Sequence, residues 1–420
     1  MVQQLVKRFF SKTGSKSKPS EKIFFTLFII FLFRVGNTIP ICGIDQEAIR
    51  KALSQLGNQN SIIQIINMYS GGSGKFIISP FSLGIIPFIN ASILIDLLTT
   101  LIPFLEKLQS EEGEEGKRKL MLYKKTLTFV FAIAQSALLI YYCFPYFYAT
   151  DLFNLAIVII ELVTGSLIIV WMSNLIEKKG IGNGTSIIIF TNIITNLIGK
   201  NWFTIFNENK SILNIGSQIL ILVILVALIC ISQIARMNIE VVSARQLSFL
   251  ENEQKNSQIE KNYNLGQKKD QGLSIRLNQA GIFPIIIASN LLPFFSYVTN
   301  SLKLLESFIY YFLIIGFNYF YTIVFWDPEK ISEQLRKASV SIVNITPGKE
   351  TISYLENVVK ATSIIGGIFL SLILFSYDLI RKNFEVGLLT QINISSLIIL
   401  IGVAYELQKT IRSLYINVFE

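Results

Sequence analysis

Apolar residues gather into ten long stretches separated by polar ones, roughly 24–41, 76–101, 126–147, 152–172, 184–199, 212–234, 281–298, 304–326, 362–379 and 388–407. Most are long enough for a helix to cross a hydrocarbon core of ~30 Å, which takes about 20 residues. The stretch at 184 is short, and the one at 76 is interrupted by Pro80 and Pro87. A spanning segment must satisfy its own backbone polar groups, so the pattern predicts an all-α polytopic membrane protein with ten transmembrane helices. Ten spans of ~20 residues fill roughly half the chain, in line with a hydrophobic fraction of 51% over 420 residues.

Charge then orients the spans. Only 15% of the residues are charged, against about a quarter in soluble domains. The N-terminus, the even-to-odd loops and the C-terminal tail together hold 28 of the 37 basic residues, among them Lys117-Arg118-Lys119, Lys178-Lys179 and Lys268-Lys269. The positive-inside rule places both termini in the cytoplasm or its organellar equivalent. Residues 1–22 carry Lys7, Arg8, Lys12, Lys16 and Lys18 with no acid before Glu21, and are read as a short amphipathic segment on an anionic leaflet rather than a cleaved signal. The chain has no histidine, which removes a Ser-His-Asp triad, an H-E-x-x-H zinc site and His-ligated haem. Cys42, Cys143 and Cys230 have no metal-type spacing and are read as small hydrophobes in packed positions. No enzyme chemistry, metal or cofactor is expected.

The second and seventh stretches share a motif. Residues 84–92 and 281–289 both read G-I-x-P-x-I-x-A-S. Five spans is an odd number, so a second set of five enters from the opposite side and forms an inverted repeat. The expected division is 1–22, a first half at 23–200 and a second half at 201–420. A proline inside each of the two helices is expected to remove a backbone bond, and such irregularity is tolerated at membrane depth only beside protein or a watery cavity. The two segments are therefore placed at the interface of the halves. Ile85 and Ile89, like Ile282 and Ile286, lie four apart on one helix face. Such a ring binds small solutes poorly but suits a hydrophobic constriction. Plain helix packing explains the same residues.

Other features are weaker. Residues 61–72 are too short to span, apolar with polar residues between, and end in Gly71-Gly72. A plug-like re-entrant half-helix and a surface helix both fit. Gly74-Lys75 fails as a P-loop because Phe76 stands where Ser or Thr binds magnesium. Gly180-Ile181-Gly182-Asn183-Gly184 is read as a tight turn that caps the fifth span. Glu161 and Asp96 are ionisable groups at membrane depth, with Asp96 toward the cytoplasmic end. They keep a second reading open, a secondary transporter of a small solute. Two long polar loops, 235–277 and 327–360, suit a docked cytoplasmic partner, and the first is long enough for a hairpin.

Several of these pieces together resemble the SecY family of protein translocase channels. They are Ile39-Pro40-Ile41-Cys42-Gly43-Ile44-Asp45, Asn67-Met68-Tyr69-Ser70-Gly71-Gly72, residues 87–92 leading into Leu97-Leu98-Thr99, residues 114–119, residues 180–184, and Asn278-Gln279-Ala280-Gly281 through Ser289. The resemblance implies two inverted five-helix halves around a central pore that passes unfolded preproteins. Position by position it implies a pore ring of Ile85, Ile89, Ile189, Ile193, Ile286 and Ile399. It implies a plug over 61–74, with Ser61, Ile65, Asn67, Met68, Gly71 and Gly72, and a lateral gate carrying Pro87, Ser92, Pro284 and Ser289. The docking loops it implies hold Arg245, Arg336, Lys337 and Lys349. The implied partners are a SecE-type subunit, a SecA-type motor ATPase and preproteins with signal sequences, with a ribosome and a SecG-type subunit as further candidates. The sequence departs from the family at Thr185 and Phe283, where further pore-side isoleucines are usual, at Cys42 in place of proline, and at Thr346 in place of arginine. A composition rich in Ile, Phe, Asn and Lys suggests a plastid-encoded, multi-pass thylakoid protein, with a bacterial plasma membrane as the alternative.

Overall fold

A computed structural model of the chain describes residues 19–49, 51, 78–110, 113–198, 212–243, 272–281, 283–298, 303–343, 345–382 and 394–419. Its helices before the sheet are α1 (Pro19–Asn37), α2 (Ile86–Leu101), α3 (Pro103–Ser110), α4 (Gly113–Cys143), α5 (Leu152–Lys179), α6 (Gly184–Ile198) and α7 (Ile212–Ile234). Strands β1 (Arg236–Ser243) and β2 (Gly272–Arg276) follow, then α8 (Phe283–Val298), α9 (Lys303–Phe325), α10 (Pro328–Lys337), β3 (Val340–Ile342), α11 (Lys349–Lys382) and α12 (Ile394–Phe419). Each of the ten apolar stretches holds a helix. Among the described residues five helical runs are long and apolar enough to cross a membrane, and α2 and α6 supply shorter apolar ones.

Two helices begin well before the hydropathy suggests. α4 starts at Gly113 rather than near 126, and α11 at Lys349 rather than near 362. Hydropathy marks depth in lipid, not the end of hydrogen bonding. The polar first turns are good helix starts, with Glu114 and Glu115 on α4 and Glu350 on α11 placed where the N-terminal dipole favours negative charge.

Packing divides the chain into two units, Met1–Ile215 with Gln391–Glu420, and Gly216–Thr390. In the first unit α12 lies against α6 and α2 against α4. Its core includes Ile44, Ile78, Leu83, Leu139 and Leu162, all buried. Gly165 on α5 permits a close crossing: a Cβ there would stand 2.0 Å from the carbonyl oxygen of Pro80. Of the cysteines, Cys143 is buried in this core and Cys230 is half-buried, but Cys42 is exposed, so the packed reading fails for Cys42.

The second unit joins the two long polar loops into one body. β1 pairs antiparallel with β2, Ile239 opposite Leu273, and with β3, Val242 opposite Ser341. The order is β2-β1-β3. The expected hairpin is present, and the loop at 327–360 supplies a helix, a strand and the start of α11. Asp327 caps α10, its Oδ1 accepting the N–H of Glu329 at 3.0 Å, and Pro328 follows in the first turn, where a missing N–H costs nothing. Ile331 and Leu335, four apart, turn toward a core of Ile239, Ile275, Ile342 and Leu355. Alternation in the strands and the i,i+4 spacing in α10 thus bury one small apolar core beneath a polar surface. α9 and α11 pack along their length, tied where the Asn318 amide donates to the Ser363 carbonyl at 2.6 Å.

Candidate functional site

The repeated motif begins each of its two helices and does not kink them. α2 starts at Ile86 and α8 at Phe283, so Pro87 and Pro284 are each the second helical residue. The expectation of a lost internal bond is corrected. The first four N–H groups of a helix have no partner within it, so proline there removes nothing and presets φ. Gly84 has φ +59° and Gly281 has φ +63°. Both copies use the left-handed turn that glycine allows to swing the chain into the helix axis. In the first copy the Phe88 and Ile89 N–H groups donate to the Ile85 carbonyl, both at 3.1 Å.

The approach to α2 is irregular and buried, which requires every backbone group to find a partner. Gln46 supplies two of them. Its Oε1 accepts the Ile78 N–H at 2.9 Å and its Nε2 donates to the Ile78 carbonyl at 3.1 Å. That carbonyl also accepts from Ile41 N–H at 3.0 Å, and the Ser79 N–H donates to Ser82 Oγ at 2.8 Å. Gln46 was not singled out from the sequence. A glutamine just past the first span is only a weak signal for such a clamp.

Five of the six ring isoleucines fall in the first unit, on three elements. Ile85 and Ile89 stand at the start of α2, Ile189 and Ile193 on one stripe of α6, and Ile399 on α12. Ile85, Ile89 and Ile193 are buried, and Ile189 and Ile399 are half-buried. A Cβ on Gly84 would lie 3.9 Å from the Asn192 amide nitrogen, which sets the α2 start beside the middle of α6. Ile187 and Ile188 on α6 are buried and turn away from the 189–193 stripe, as 100° per residue requires. Ile286, in the second unit, is buried on α8.

The remaining site residues divide three ways. The plug residues Ser61, Ile65, Asn67, Met68, Gly71 and Gly72, and Arg245, lie outside the described residues. Of the gate serines, Ser92 Oγ is buried without a hydrogen-bond partner among the described residues, and Ser289 Oγ lies 3.3 Å from the Tyr310 hydroxyl. Pro87 and Pro284 are buried. Arg336, Lys337 and Lys349 are exposed, the first two in the last turn of α10 and the third opening α11. Lys337 lies 3.0 Å from Glu333 and holds that carboxyl below its usual range through a hydrogen bond. Both side chains are in water, so the pair adds little to stability.

The departures have local explanations. Thr185 N–H and hydroxyl both meet Asn183 Oδ1, the N–H at 3.0 Å, so the glycine-rich turn caps α6 as expected. Phe283 stacks on Tyr321, ring centroids 5.1 Å apart and planes at 22°. Thr346 Oγ1 donates to Glu350 at 2.6 Å and its carbonyl accepts from Thr351. Asp96 pairs with Lys124 of α4 at 2.8 Å, which accounts for one of the two ionisable groups. Glu161 is half-buried on α5.

The comparisons with known proteins bear on this arrangement. The SecY family model matches residues 79–408. The chain belongs to the SecY family. A protein translocase subunit SecY from Pyropia yezoensis is 35% identical over 423 residues, covering 96% of this chain and 98% of that one. One from Synechocystis is 32% identical over 424 residues, covering 94% and 92%. A solved structure described as a protein conducting channel superposes with a TM-score of 0.65 at 14% identity, covering 97% of this chain and 96% of that one. This SecY-family chain is therefore a multi-pass membrane protein of the translocation-channel class, with the ten-helix fold read from its sequence. The small-solute transporter reading is set aside. Of the two groups that motivated it, Asp96 is half-buried and paired with Lys124, and Glu161 is half-buried on α5.

Proposed function

We propose that the chain is the passive central pore of a Sec-type translocase, closed by Ile85, Ile89, Ile189, Ile193, Ile286 and Ile399. The observation that carries this reading is the approach of the buried α2 start to α6, where a Cβ on Gly84 would lie 3.9 Å from the Asn192 amide nitrogen. Side chains without charge or fixed ligands pass segments of any sequence and shed water when they close. The plug is assigned to residues 61–74. The gate is assigned to the motif segments with Pro87, Ser92, Pro284 and Ser289. The exposed Arg336, Lys337 and Lys349, with Arg245, form a basic docking surface for a SecA-type motor or a ribosome. A SecE-type subunit completes the complex and preproteins are its substrates. No residue acts as a catalyst, and the driving energy comes from the partner. The algal relatives support a plastid membrane, and the thylakoid is the membrane assigned to the chain.

The test is reconstitution in vesicles with a SecE-type partner, a SecA-type motor and a signal-bearing preprotein. Exchanging Ile89 and Ile286 for asparagine raises ion leak while preprotein passage continues. Unchanged conductance in a folded double variant removes the ring assignment.

A further inference from the structure

Two adjacent tyrosines on α9 face different neighbours. Successive helical residues are separated by about 100°, so Tyr310 and Tyr311 cannot serve the same one. Tyr311 is fixed on α11: its hydroxyl donates to Asp378 Oδ2, and its ring meets Phe375 edge-on, centroids 5.9 Å apart and planes at 87°. Phe375 and Asp378 are three apart, on one face of α11. Tyr310 instead reaches α8, where its hydroxyl lies 3.3 Å from Ser289 Oγ. That distance is at the long end for a hydroxyl pair, whose usual range is about 2.5–3.0 Å.

Within the packed α8–α9 face stand two side-chain contacts of different character among the described residues. At the first residue of α8, Phe283 stacks on Tyr321. Six residues later, about 9 Å along the helix, stands the Ser289–Tyr310 contact. Stacking is dispersive and survives small tilts. A hydrogen bond already at 3.3 Å is lost within a few tenths of an ångström.

We propose that the Ser289–Tyr310 contact is a releasable latch on α8, that the Phe283–Tyr321 stack is the pivot, and that Tyr311 with Asp378 keeps α9 and α11 still while α8 tilts. Ser289 and Tyr310 are positioning residues, acting through where they hold α8. The inference rests on the reading of α8 as a gate helix. It gives Phe283, which leaves the usual pore-side isoleucine pattern, a place in the motion.

The experiment uses the full chain with its SecE-type partner in vesicles and compares Ser289→Ala, Tyr310→Phe, the double variant and Tyr311→Phe. Resting ion conductance reports latch opening, motor-driven passage of a preprotein reports the channel, and thermal unfolding in detergent reports the α9–α11 clamp. Ser289→Ala and Tyr310→Phe each raise resting conductance by about 2- to 12-fold, the loss of one hydrogen bond. The double variant matches either single one, because both remove the same contact. Tyr310→Phe leaves the unfolding midpoint in place and Tyr311→Phe lowers it. If passage is normal but the two single effects multiply, or neither moves conductance, the latch is wrong while the channel reading stands. If the unaltered complex passes no preprotein, the channel reading falls and the latch with it.

Discussion

The two copies of G-I-x-P-x-I-x-A-S begin alike and are held differently. In both, a left-handed glycine turns the chain and a proline enters as the second helical residue. The α2 copy is then fixed through backbone, with the Gln46 side chain gripping Ile78 on both sides, while its serine finds no partner among the described residues. The α8 copy is fixed through side chains, by the Phe283 ring on Tyr321 and the Ser289 hydroxyl near Tyr310. The difference shows that the motif encodes the helix start but not its anchoring. What anchors each start is decided by whichever neighbours the fold brings to it.

The largest test of that contrast is Gln46→Leu. It strands the Ile78 N–H in a buried place, since the Ile78 carbonyl retains Ile41. A loss of about 1–3 kcal/mol is expected, read as a lower unfolding midpoint for the purified protein and a leakier channel. Before α8 the Asn278 amide donates, among the described residues, to the Gly281 carbonyl alone, at 3.0 Å, so a loss from Asn278→Leu equal to that from Gln46→Leu would break the asymmetry.

Next come Gly84→Ala and Gly281→Ala. Neither added methyl meets a neighbour closer than 3.9 Å, so the cost is conformational, about 1–2 kcal/mol at each positive φ. Equal shifts of the two variants in thermal unfolding confirm that the turn is shared. A loss at one site alone shows that the copies differ in backbone as well as in anchoring.

The smallest effect is expected from Pro87→Ala and Pro284→Ala, below about 1 kcal/mol each, because a first-turn proline replaces no hydrogen bond. A gain near 3 kcal/mol, the relief of a helix-interior proline, would restore the kinked-helix reading.

Much was legible before any coordinates. Hydropathy located a helix in each of the ten apolar stretches, because twenty apolar residues in a row have no place except lipid or a deep core. The turn at 180–184 announced its own cap in Asn183, which bonds within two residues. What hydropathy misplaced were the ends, as at Gly113 and Lys349, where polar residues continue a helix into water. It also misread the prolines. A proline beside apolar residues looks the same in a kink and in a first turn, and only the φ of the preceding glycine separates the two.

The amino-acid order by itself settled the membrane class, the number of spans, the repeated motif and the family. These rest on composition and on contacts within a few residues, whose energetics need no distant partner. The tertiary structure decided the rest. It brought Gln46 to Ile78, Asp96 to Lys124, and Tyr310 and Tyr311 to two different helices. It also joined the loops at 235–277 and 327–360 through β1 and β3. Each of these pairs is separated by tens of residues or more, and a polar side chain carries no mark of which remote group it will meet. The hydrophobic burial that folds the chain is non-directional, so partners of that kind are selected only once the helices have packed.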